Sequence, residues 1–175
     1  WPDYMAIIAK WGKADFVQKV SAYRESQSKG NKEPLRITDA LAQSQSPLKL
    51  INAPTAIMFY EGATRLFDSG VSIIPCHSAD NERSAIEAYP ALIARRFAEG
   101  YKNDDDNNRM IARKSILEGL SSNTIKSEFG FDVEINNLLS AHIIEDSTGA
   151  VLDAVMCAVQ AAWSCLQPNY GLPDF

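Results

Sequence analysis

Apolar positions in this chain recur mostly three and four residues apart, the period of a helix rather than of a strand. Residues 3–10 and 13–28 read as two helices parted at Gly12. Ala14, Val17, Val20 and Ala22, with Phe16 and Tyr23, give the second an apolar face. The stretch KGNKEPLR (29–36) is polar and holds Gly30 and Pro34, so it is a loop. Thr38 or Asp39 caps a short helix near 39–44, and a polar stretch over 43–47 follows. From 54 to 69 the pattern is again helical, with Pro54 in a first-turn position and Gly70 at the close.

The period then shortens. VSIIP (71–75) and RSAIEA (83–88) are the strand candidates, with the polar loop HSADNE between them. Tyr89 and Pro90 open a helix to about Ala98, stopped at Gly100. Asp104, Asp105 and Asp106 precede a helix through Leu117, where acidic residues favour the positive end of the helix dipole. Residues 121–131 give no clear period, 132–144 read as helix, and 145–149 as a polar connector. The expected class is α/β: helix-rich, with a small sheet flanked by helices, in a single domain over 1–175.

The last helix, 149–166, stands apart. In AVLDAVMCAVQAAW (150–163) only Asp153 and Gln160 are strongly polar, so the helix reads as central and buried on nearly every side. Asp153, Cys157, Gln160 and Ser164 fall on one stripe. A carboxylate there is costly unless it is paired, exposed along a cleft or bound to a cation. Two readings stay open: a first-turn acid that favours the dipole, or a cleft-lining functional carboxylate.

Composition narrows the setting. The 175 residues contain 46% hydrophobic and 22% charged residues, ordinary for a folded protein with its own core. The net charge of −5 argues against strong nonspecific binding to phosphates. No apolar run is long enough to cross a bilayer. Cys76, Cys157 and Cys165 are odd in number and show no C-x-x-C pairing, which points to a reducing compartment, the cytoplasm. With two histidines, a zinc site is not expected.

Several segments in order carry a resemblance: RITDALAQSQSPLKLINAP, IMFYEGATRLFDSG, IEAYPALIARRF, the following GYK, the arginine of NNRMIARKSIL, and VLDAVMCAVQAAW. Together they resemble the RNase H-like nuclease family termed domain of unknown function 429. The resemblance implies a partial RNase H-like core over 71–175 and a mainly helical insertion over 1–70. It implies a metal-dependent nuclease or phosphodiesterase, a hydrolase using Mg²⁺ or Mn²⁺ and acting on nucleic acid. Asp153 then matches the late-helix aspartate, and Glu87 the acidic residue on the strand before Tyr89 and Pro90. These two are the expected catalytic and metal-binding residues. Lys102 and Arg109 match basic positions facing a phosphate. Arg36 and Asp39 match a polar pair in the insertion.

The chain departs from the family at its start. The family's early aspartate on a β-hairpin and its later I-D-x-P strand are not found. The expectation is a C-terminal portion of a longer protein, lacking two carboxylates and weak or inactive by itself. The alternative is a binding or interaction domain that keeps the fold without the chemistry. Each site residue also has a plainer reading. Glu87 alternates onto a solvent face. Lys102, Arg109, Arg113 and Lys114, with Arg95 and Arg96, form a solvated basic surface. His77 and His142 are loop and helix-surface residues, and the tail QPNYGLPDF is an extended strap.

Overall fold

The structure, a computed structural model, describes residues 2–79 and 82–172. The chain divides into two compact units, Trp1–Glu87 and Ala88–Phe175. It is a helix-rich α/β protein with one small sheet among the described residues. No helix among those residues is long and apolar enough to cross a membrane.

The first unit contains α1 (Pro2–Ile8), α2 (Lys13–Ser26), α3 (Ile37–Ala42), α4 (Thr55–Asp68), β1 (Ser72–Ile74) and β2 (Ser84–Ile86). Its core joins Met5 and Ile8 of α1, Phe16 and Val20 of α2, and Ala56 and Ala63 of α4. The Tyr60 hydroxyl donates to the Trp11 carbonyl at 2.8 Å, satisfying a polar group beside that core. The helix expected over 39–44 begins at Ile37 instead. Asp39 does not cap from outside; it sits inside the first turn and accepts the Arg36 amide at 2.9 Å.

β1 and β2 run parallel, Ser72 beside Ser84 and Ile74 beside Ile86. After β1 the chain doubles back through a cis Ile74–Pro75 peptide, and Ile73 and His77 exchange both backbone bonds at 2.7 Å. The expected polar loop therefore starts inside a bridge. Its Asp80 and Asn81 lie outside the described residues.

The second unit contains α5 (Ala91–Ala94), α6 (Asp106–Leu120), α7 (Asn123–Phe129), α8 (Asn137–Glu145) and α9 (Ala150–Leu166). Ile93, Ala94, Ile116, Leu120, Ile125, Ile143, Leu152, Met156 and Val159 form its core. The stretch without a clear period holds α7, stopped by Gly130 at φ 84°, a left-handed angle that glycine adopts freely. The helix expected from 132 starts at Asn137, because the Asn136 side chain caps it by accepting the Leu139 amide at 2.8 Å.

The central, all-round-buried α9 is corrected. Leu152, Met156 and Val159 are buried, while Ala154, Ala158 and Ala162 face solvent. Alanine reads as apolar and favours helix, but offers too little apolar surface to require burial. The tail is also not extended throughout: Asn169, Tyr170 and Gly171 form a left-handed turn, and the Ser164 hydroxyl donates to the Tyr170 carbonyl at 2.6 Å. Residues 173–175 lie outside the described residues.

Candidate functional site

Asp153 lies in the first turn of α9 but does not cap it. Asp146 does: its carboxylate accepts the Val151 amide at 2.9 Å and the Thr148 amide and hydroxyl at 2.9 and 2.6 Å. Those bonds hold its pKa at about 2, below the ordinary carboxylate value, with the Thr148 hydroxyl the largest cause. Asp153 is thereby free to face other elements. Its Oδ1 accepts the Tyr101 hydroxyl at 2.8 Å, and its Oδ2 takes the Lys102 ammonium in a close ion pair. The pair is half-buried, with side chains 34% exposed for Lys102 and 27% for Asp153.

The Tyr101–Lys102 dipeptide is fixed from behind by α6. Arg113 donates to the Tyr101 carbonyl at 3.2 Å and, through Nε and Nη2, to the Ile144 carbonyl at 3.0 and 2.8 Å. Arg113 is 4% exposed, which corrects the solvated-face reading for this residue. Its guanidinium is not spent on water; it satisfies the Ile144 carbonyl at the end of α8, where a cation also suits the helix dipole. One turn earlier, Arg109 reaches the Lys102 carbonyl at 3.4 Å and pairs closely with the exposed Asp106. The Arg109 Nε is buried without a hydrogen-bond acceptor among the described residues.

Gly149 packs against this dipeptide. An added Cβ there lies 3.0 Å from the Lys102 side chain and 3.2 Å from the Tyr101 ring, on a backbone at φ 68°. Burial, then the bond to Asp153, raises the Tyr101 pKa, so its hydroxyl stays protonated as the donor. Burial, then the Asp153 charge, raises the Cys157 pKa, which keeps that thiol from being a ready nucleophile. Gln160, further along the same stripe, bonds both backbone groups of Tyr89 at 2.9 and 3.0 Å. It holds the chain entering α5.

Glu87 belongs to the first unit and is engaged there. Its oxygens accept Arg36 Nη1 and Nη2 at 3.0 and 2.6 Å. The polar pair Arg36 and Asp39 is a tight one: Asp39, 2% exposed, accepts Arg36 Nε at 3.0 Å and Nη2 at 2.7 Å. The Arg36 hydrogen bonds hold the Asp39 carboxyl below its usual range.

The other basic residues are largely held within the chain. Arg96 pairs with Glu128, and Arg95 lies 5.6 Å from the Tyr89 ring; Lys114 remains at the surface. Three cysteines, Cys76, Cys157 and Cys165, are free. Among the described residues there is no group of three His, Cys, Asp or Glu side chains suited to a metal ion. Mg²⁺ takes six oxygen ligands, and both oxygens of Asp153 and of Glu87 already serve donors within their own units. Either carboxylate alone therefore supplies too few oxygens to hold a divalent ion. No protein-family model, no curated protein and no solved structure matches the chain.

Proposed function

We propose that the chain forms part of an RNase H-like phosphodiester-hydrolysing protein, a cytoplasmic nuclease, with Asp153 as its late-helix acid. The observation that carries this reading is the orientation of Asp153. Asp146 caps α9, so Asp153 is not needed by the helix end, yet it is half-buried and aimed at Tyr101 and Lys102. Two arginines of α6 brace the backbone of that dipeptide. Lys102 and Arg109 are then the cations nearest an incoming phosphate, and Tyr101 orients the carboxylate. The free cysteines agree with a reducing compartment.

The test is cleavage of DNA and RNA by the full-length protein with Mg²⁺ or Mn²⁺, compared with Asp153→Asn. The expected result is loss of cleavage in the variant with its melting curve retained. Equal cleavage by both removes the role assigned to Asp153.

A second reading is a binding domain without catalysis. It is favoured by the ion pairs that occupy Asp153 and Glu87. Nucleic acid retained without cleavage, and released by Lys102→Gln with Arg109→Gln, selects it.

A further inference from the structure

The Arg36 cluster lies in the first unit and does not depend on the role proposed for Asp153. Its inner half rests on a buried carboxylate. Buried Asp39 accepts the Arg36 backbone amide at 2.9 Å, Nε at 3.0 Å and Nη2 at 2.7 Å, and also the Ser44 hydroxyl at 3.1 Å. These bonds hold the guanidinium from its inner side. Its outer edge, Nη1 and Nη2, points to a region where Glu87 is 68% exposed and Arg36 48% exposed.

A guanidinium edge of this kind matches a carboxylate or a phosphate through two parallel bonds. A side chain already fixed by a buried partner loses little further freedom on binding. Glu87 makes that two-point contact at 3.0 and 2.6 Å, so the geometry of an oxyanion complex is already formed, with the chain's own carboxylate in it.

We propose that Arg36, fixed by Asp39, is a binding site for a single carboxylate or phosphate group of a ligand, and that Glu87 is its displaceable internal competitor. Exposed pairs of this type favour the closed state by a factor of only about 1.5–5. A ligand that binds only the open state has its affinity reduced by the open fraction. Removing Glu87 therefore tightens binding about two- to sixfold. The net charge of −5 disfavours a long polyanion, so the group recognised is one oxyanion on a small molecule or side chain.

The experiment is a titration of the full chain with acetate and, separately, inorganic phosphate, following the Arg36 Nε–Hε NMR signal and, in every variant, the backbone amide signals of residues 36–39 and 86–88. Chloride at matched ionic strength is the screening control. The expected result is a saturable shift with at least one anion, two- to sixfold tighter in Glu87→Gln and lost in Arg36→Lys, which keeps the charge but not the fork. The anion that gains identifies the group as carboxylate or phosphate. Equal affinity in wild type and Glu87→Gln, shifts reproduced by chloride, or binding retained in Arg36→Lys each overturns the proposal.

Discussion

Gly119→Ala in α6 opposes two effects of known size. Helix propensity favours the change, because alanine is better than glycine by about 1 kcal/mol in a helix interior. Packing opposes it. A Cβ on Gly119 meets the Phe97 ring at 2.3 Å from both Cγ and Cδ1, and 2.7 Å from Cδ2. Carbon atoms rest at about 3.5–4.0 Å, so the ring must retreat by roughly 1 Å. Cγ moves only by rotation about the Cα–Cβ bond, which drives the ring off its rotamer, or by a shift of the backbone around Phe97. Phe97 also packs against the second core. Overpacking costs about 1–3 kcal/mol, and contacts this short on a ring belong to the upper part, about 2–3 kcal/mol, so destabilisation wins by about 1–2 kcal/mol. For a unit of this size the midpoint falls by about 4–8 °C per kcal/mol. The assay is thermal unfolding of the full chain followed by circular dichroism. Phe97→Leu should recover part of the loss when combined with Gly119→Ala, a non-additive pair. An unchanged or higher midpoint in Gly119→Ala refutes the argument.

Arg113→Lys should destabilise the second unit by about 1.5–3 kcal/mol in denaturant melts, since one ammonium cannot reproduce the fork to the Tyr101 and Ile144 carbonyls. Asp146→Ala should cost about 0.5–2 kcal/mol near neutral pH, as loss of a helix cap does, whereas Asp146→Asn keeps an accepting oxygen and loses only the charge. With the folded Asp146 pKa at about 2 and the ordinary value at 3.8, its charge-dependent contribution is full above about pH 4 and fades as pH falls toward 2. The gap between wild type and Asp146→Asn in melting curves should close over that window.

The fold was most readable where a single rule governed. Pro54 and Gly70 bracket α4 closely, because proline fits a helix start and Gly70 takes φ 69° after its end. Readings failed where side chains settled a boundary. Asn136 delays α8, and Arg36 with Asp39 moves α3 earlier, through bonds that periodicity does not encode. At the site, the sequence singled out Asp153 as a carboxylate in an apolar helix, but not its partners. Nothing in the sequence marks Tyr101, although it immediately precedes Lys102; a tyrosine carries no signal of its hydroxyl's destination. From sequence Arg113 reads as surface, because that is where most arginines lie. Only the convergence of α6, α8 and the turn at Tyr101 reveals otherwise. Glu87 was legible as an acid at a strand end, while its partner Arg36 lies 51 residues away in sequence.

Arg113 also bears on how the second unit comes apart. A helix C-terminus ordinarily frays first, because its last carbonyls lack partners. Here the Ile144 carbonyl is tied to the same cation as the Tyr101 carbonyl. Releasing one carbonyl alone leaves a charged group buried with too few acceptors, so the end of α8 and the turn beneath Asp153 open as one event. The dipeptide that faces the candidate site therefore inherits the resistance to opening of the unit's core, although it belongs to neither a helix nor a strand.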